Sequence, residues 1–150
     1  MPSLIGNIDA KLDTKGRVFM PAVLRRQLDD AKVFVLRKGL FSNCLVLYPE
    51  STWEEMIEVL RRKLNRFNRR EEQVFRQFVA EADRIELEDN GRMLIPRRYL
   101  AEGGFDSDVR FVGCDTTIEL WPVNQVEQQF LPTEEFAASL ESLMTDKEEE

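Results

Sequence analysis

Leu12-Asp13-Thr14-Lys15-Gly16-Arg17-Val18-Phe19-Met20-Pro21 is answered seventy-five residues later by Leu87-Glu88-Asp89-Asn90-Gly91-Arg92-Met93-Leu94-Ile95-Pro96. Both follow Leu-acid-x-x-Gly-Arg, three apolar residues, then Pro. Each continues to a second match: Leu45-Val46-Leu47-Tyr48-Pro49 stands against Ile118-Glu119-Leu120-Trp121-Pro122. Two ordered matches at similar separation point to an internal duplication rather than coincidence.

Each copy reads as a small β-rich unit of about 45 residues with four short strands, a size marginal on its own. Asp13-Thr14-Lys15-Gly16 and Asp89-Asn90-Gly91 are tight turns, and Asn-Gly supplies the positive φ that hairpins demand. Pro21 and Pro96 suit the first turn of a helix, where a missing N–H costs nothing. Val23, Leu24 and Leu28, then Tyr99 and Leu100, give those helices an apolar side. Val33-Phe34-Val35-Leu36 and Val109-Arg110-Phe111-Val112 read as strands, as do Cys44–Tyr48 and Thr117–Trp121. Two such units packed together would share a core.

Between the copies, Ser51-Thr52-Trp53-Glu54 fits a capping box, and Trp53, Met56, Ile57, Leu60, Leu64 and Phe67 keep helical spacing. Asn68-Arg69-Arg70-Glu71 looks like a second cap, followed by a stripe of Val74, Phe75, Phe78, Val79 and Ala82. Thr133, with Glu134 and Glu135 as first-turn acids, opens a last helix with Phe136, Leu140, Leu143 and Met144 on one face. Lys147-Glu148-Glu149-Glu150 is expected to fray. The division is repeat 1 at 5–52, a helical insert at 53–82, repeat 2 at 83–126, and an acidic C-terminal helix and tail at 127–150.

The 150 residues carry 21 Lys+Arg, 28 Asp+Glu, no His and 2 Cys. The missing histidines remove Ser-His-Asp and Cys-His nucleophiles and His-based zinc sites, and two cysteines cannot build a Cys-rich one. No apolar run reaches about 18 residues, so no membrane helix is expected. The start, Met-Pro-Ser-Leu-Ile-Gly-Asn-Ile-Asp, lacks a signal-peptide pattern, which predicts a cytoplasmic protein. Net charge is −7, but the tail 127–150 alone gives −7, and residues 1–126 carry 20 charges of each sign. Placement, not the total, decides the partner.

Arg17 and Arg92 hold equivalent places just past the two turns. Each could pair with its own acid, Asp13 or Glu88, or project from a hairpin toward phosphates or guanine edges, and the carboxylate could orient the Arg for that contact. Lys11 and Lys15 raise the potential at the first turn. Asn90 is the comparable donor at the second, among Glu86, Glu88 and Asp89. Gly16 and Gly91 would let backbone approach phosphates. Arg25 and Arg26, with Arg97 and Arg98, could widen the basic face. Arg61, Arg62, Lys63, Arg66, Arg69 and Arg70 read as a solvated helix face, with Glu58 available to Arg62. Cys44, Cys114, Tyr48 and Trp121 read as core. The pairs Asp29-Asp30 and Asp106/Asp108 read as solvated loop acids, and no Gly-rich phosphate loop is present.

The duplicated acid-x-x-x-Arg followed by apolar residues and Pro, with its helical insert, resembles the MraZ family of bacterial transcriptional regulators. The similarity runs from about Gly6 to Trp121. The resemblance implies an α+β fold: two tandem AbrB-like (SpoVT-AbrB) swapped-hairpin β units forming a shared β-barrel core, with a helical insert and a C-terminal helix. It implies a ring-shaped homo-oligomer on double-stranded DNA, bound at repeated promoter sites of the division and cell-wall gene cluster, its own gene included. Repression is the expected effect and the nucleoid the expected location. DNA contact falls on Lys11, Lys15, Gly16, Arg17, Asn90, Gly91 and Arg92, with Asp13 and Glu88 orienting the arginines. Glu88 stands where the family pattern has Asp. No cofactor, metal or small-molecule substrate is implied. The alternative is a ring-forming protein-interaction scaffold that does not act through DNA; a hydrolase on Glu86, Glu88 or Asp89 is a distant third.

Overall fold

A computed structural model of the chain describes residues 3–149, with side-chain environments through residue 145. The expected fraying of Lys147-Glu148-Glu149-Glu150, and the signal-peptide reading that began at Met1 and Pro2, reach outside the described residues. Repeat 1 contributes β1 (Asn7–Lys11), β2 (Arg17–Phe19), α1 (Ala22–Gln27), β3 (Val33–Lys38) and β4 (Leu45–Pro49). The insert is α2 (Glu50–Lys63) and α3 (Arg69–Ala80). Repeat 2 contributes β5 (Asp83–Glu86), β6 (Arg92–Leu94), α4 (Arg97–Gly103), β7 (Asp108–Cys114) and β8 (Thr117–Pro122), followed by α5 (Val123–Val126) and α6 (Thr133–Glu149).

The two copies interleave. One antiparallel sheet has the order β1-β7-β8-β4-β3-β5, and β2 pairs with β6 in a separate ribbon. The first strand of each copy therefore pairs with the other copy: β1 with β7, β5 with β3. A pseudo-two-fold axis runs between β4 and β8 in the sheet and through Val18–Met93 in the ribbon. The mixed α+β class is as expected. The closed barrel is not: the described strands form an open six-stranded sheet and a ribbon. The turns at 13–16 and 88–91 peel β2 and β6 away from their own first strands; beside the first turn, a Leu12–Val18 bridge and the Asp13 N–H to Arg17 carbonyl bond tie the two sides together.

The core lies between ribbon and sheet. Period-two alternation sends Leu45 and Leu47 of β4, and Ile118 and Leu120 of β8, into it. Phe34, Leu36 and Phe111 join from the sheet, and Val18, Met20, Met93 and Ile95 from under the ribbon. Pro21, Pro49, Pro96 and Pro122 each stand at the residue before a helix, so the repeat's two prolines start helices in both copies. Tyr99 is buried on α4, its hydroxyl 2.8 Å from an Asp83 carboxylate oxygen.

The insert packs elsewhere. Val35, Trp53 and Ile57 form a second cluster with Tyr48, Met56, Phe75 and Phe78, in which Trp53 stacks on Phe78 at 5.2 Å. Helix α2 begins earlier than the expected box: Pro49 precedes it, and no side chain caps it. It also ends at Lys63, so the expected stripe stops before Leu64, and Phe67 is fully exposed. The Asn68 cap is present, its side chain accepting from the Glu71 N–H at 3.1 Å. Trp121 and Cys44 are buried with Val126. Burial pushes the thiol of Cys44 up to about 12 and that of Cys114 to about 11, so both stay protonated at neutral pH.

Candidate nucleic-acid interface

Each repeat builds a four-residue turn closed by glycine. Gly16 at φ +91 donates to the Asp13 carbonyl at 3.1 Å; Gly91 at φ +90 donates to the Glu88 carbonyl at 2.8 Å. In the first turn Asp13 does two jobs. Its Oδ1 accepts from the Lys15 and Arg17 N–H groups at 2.9 and 2.8 Å, and its Oδ2 accepts from Arg17 Nε at 2.6 Å. In the second turn the jobs are divided. Glu88, one methylene longer, meets Arg92 with both oxygens, at 2.9 and 3.1 Å, and Asn90 Oδ1 takes the Arg92 N–H at 3.1 Å. The departure at Glu88 is thus compensated two residues on.

The ribbon then brings both arginines together. Arg17 lies opposite Leu94, and Phe19 opposite Arg92. Residues paired or two apart share a face, so Arg17, Phe19, Arg92 and Leu94 form the outer face, and Val18 and Met93 the buried one. Phe19 and Leu94 are 55% and 54% exposed. The charges sense one another across the repeats: Arg17 helps hold Glu88 ionised, and Asp13 helps hold Arg92 protonated.

Lys15 is exposed at the first turn, with no partner for its ammonium among the described residues. Asn90 is exposed, its amide N–H₂ without a hydrogen-bond partner among the described residues. Lys11 is on β1 and is engaged by Asp108 at 2.5 Å, which leaves less of its charge for a ligand. Gly16 and Gly91 close the two turns from the inner side. Both are buried, and the room left by the absent side chains is filled by protein: the Ile95 carbonyl faces Gly16, and the Arg25 guanidinium faces Gly91. Their carbonyls accept from the other repeat, Gly16 from Ile95 N–H at 2.8 Å and Gly91 from Met20 N–H at 2.9 Å. Through these bonds the two glycines lock the turns together.

Arg25 was visible in sequence only as a flank; its place at the second turn depends on repeat 1 reaching across to repeat 2. Its counterpart, four residues past the matching proline, is Leu100, which packs at Gly16. Arg97 lies beside Asp13 and Thr14 in a shallow concavity. Phe19 and Leu94 were missed as surface groups, and their single signal was alternation about Val18 and Met93. Arg98 is engaged with Asp83. The cations of 61–70 are all exposed, Arg66 pairs with Glu72, and no Glu58–Arg62 ion pair forms among the described residues.

The two carboxylates are held below their ordinary values by different means. For Asp13 the main cause is the Arg17 backbone N–H; for Glu88 it is the Arg92 guanidinium. Depressed carboxylates contribute at neutral pH and lose their contribution as pH falls through the lowered midpoints, below the ordinary 3.8 of Asp13 and 4.5 of Glu88. Carboxyl-carbon NMR titration should therefore place both midpoints low. Arg92→Ala should return Glu88 toward 4.5, and Arg17→Ala should leave Asp13 depressed. Equal recovery of both would refute this assignment.

Comparison with known proteins adds the following. The family model described as MraZ protein, antitoxin-like, matches twice, over residues 4–77 and 78–147. A protein of Bacteroides fragilis named transcriptional regulator MraZ is 47% identical over 149 residues, covering 98% of this chain and 94% of that one. One of the same name from Phocaeicola vulgatus is 49% identical over 142 residues, covering 93% and 92%. Another, from Christiangramia forsetii, is 31% identical over 147 residues, covering 96% and 94%.

Proposed function

The chain belongs to the MraZ family, a family of regulators and not of enzymes, and we propose that it is a DNA-binding transcriptional regulator whose reading head is the outer face of the β2–β6 ribbon. One observation carries this reading: both repeat arginines, each gripped by its own carboxylate, stand on one face of one ribbon built by both halves. A guanidinium pre-set by a carboxylate keeps free N–H groups for a guanine edge or a phosphate. Lys15, Asn90 and Arg97 flank it. Arg25 adds a cation at the second turn, which on its own residues is acidic.

The finer reading follows from the family resemblance. Copies assemble into a ring, bind repeated promoter sites of the division and cell-wall gene cluster including the protein's own gene, and repress it at the nucleoid. Many ribbons side by side would convert a near-neutral contact into strong binding by avidity. Functionally we keep the division 5–52, 53–82, 83–126 and 127–150, although the strands of the two repeats cross between the halves.

The test is fluorescence anisotropy on DNA upstream of the protein's own gene against random duplex, from 50 to 200 mM salt. Phosphate contacts predict a log–log slope of about −0.9 per phosphate neutralised, with tighter binding to the cognate duplex throughout. No preference for that duplex would move the weight to a protein partner. That second reading has its own support in the exposed Phe19 and Leu94 on the same face. It predicts that DNA competes poorly for the ribbon.

A further inference from the structure

Two surfaces have no occupant in the fold or in the DNA reading. The first is a groove of about 590 Å³ between α2 and α3, walled by Met56, Val59, Leu60, Val74 and Phe78. Arg37 lines it and is 5% exposed. Its guanidinium stacks on Phe78 at 4.6 Å and reaches Glu81 only at 3.7 Å. Its Nε and Nη1 are buried and have no hydrogen-bond partner among the described residues. Buried N–H groups of a guanidinium are costly to leave unpaired, and their fork fits a carboxylate.

The second surface is α6. Every residue from 127 to 145 is exposed. Phe136, Leu140, Leu143 and Met144 form one stripe, 47–65% exposed. An apolar stripe on a solvated helix is a contact face. Around it stand Glu134, Glu135 and Glu141, within a tail of net charge −7.

The surfaces are complementary. Residues 61–70, at the end of α2 and the start of α3, carry six cations and no acid. The groove offers apolar walls lined by the cations Arg37 and Lys63 and one acid, Glu81, beside the basic run; the helix offers an apolar ridge flanked by carboxylates. Topology sets them apart in one molecule. β4 and β8 are antiparallel neighbours, so the chain leaves β4 into α2 and β8 toward α6 at opposite ends. A contact between opposite ends of successive copies is head-to-tail and closes into a ring or continues as a filament.

We propose that α6 of one copy lies in the α2–α3 groove of the next. This rests on the ring assembly proposed above and names its joint; it does not depend on what the ribbons bind. Light scattering on the full chain without DNA tests it. Wild type should have a mass several times the 17.6 kDa of one chain. Leu140→Asp on the helix and Val59→Asp in the groove should each fall to one chain. Both sites are substantially exposed, so each variant should keep the wild-type circular dichroism. An equimolar mixture of the two has one sound joint and should recover a two-chain species and nothing larger. A misfolded variant could not give that recovery. Variants that keep the wild-type mass would overturn the joint and leave the ring standing. Two monomeric variants that fail to pair when mixed would also overturn it. A monomeric wild type would overturn both joint and ring, and protection of α6 amides from exchange in that monomer would place the helix on its own chain.

Discussion

Replacing Arg17 and Arg92 together by Ala is expected to weaken binding to the cognate duplex by roughly thirty- to twenty-thousand-fold, at about 1–3 kcal/mol for each bidentate arginine–guanine pair removed. The fold should survive, because both side chains lie on the outer face of the ribbon and their partners Asp13 and Glu88 are solvated. The single variants separate the two kinds of interaction. Removing a phosphate partner lowers affinity on all sequences and reduces the salt slope by about 1; removing a base partner flattens sequence preference at one position. Arg17→Lys keeps the charge without the planar fork, so it should retain the slope and lose preference. A folded double variant that binds the cognate duplex as wild type does would remove the ribbon from the mechanism.

Gly16→Ala is expected to cost more than about 3 kcal/mol, and Gly91→Ala only about 1–2. Both positions have φ near +90. The added methyl at Gly16 would stand 2.4 Å from the Ile95 carbonyl oxygen, a backbone atom held by the pairing of the two repeats. At Gly91 it would meet the Arg25 guanidinium at 2.6 Å, the far end of a flexible side chain. Only the second clash can be relieved by a rotamer change. Set against a total stability of about 5–15 kcal/mol, the first substitution removes a large share. Urea midpoints at one fixed chain concentration measure the difference, and equal losses at the two glycines would contradict it.

Much of the site was legible because its grammar is local. Gly16 and Gly91 are needed by the turns, and each acid and its Arg are four residues apart across one turn. The duplication exposed the equivalence of Arg17 and Arg92. What stayed hidden was what one repeat does for the other. Nothing within repeat 2 says that Arg25 will fill the space at Gly91, or that the two glycine carbonyls will be taken by Ile95 and Met20. Ser51 misled because the strand runs through Pro49 straight into α2, so the helix starts before the box. The separate ribbon was also hidden, because β2 and β6, three residues each, find their partners in one another across the repeats.

The pairing of β1 with β7 sets a condition on synthesis. Lys11 and Asp108 are 97 positions apart, so the first strand to leave the ribosome waits for nearly the last before its partner exists. The β3 strand likewise lacks its β5 neighbour until the insert has emerged. A nascent chain stopped after the insert carries four strands with open edges and half a core, a sticky species rather than a folded half. High contact order slows the final step. The molecule is committed all at once, when β7 and β8 become available, and a truncation within repeat 2 costs both repeats rather than one of two modules.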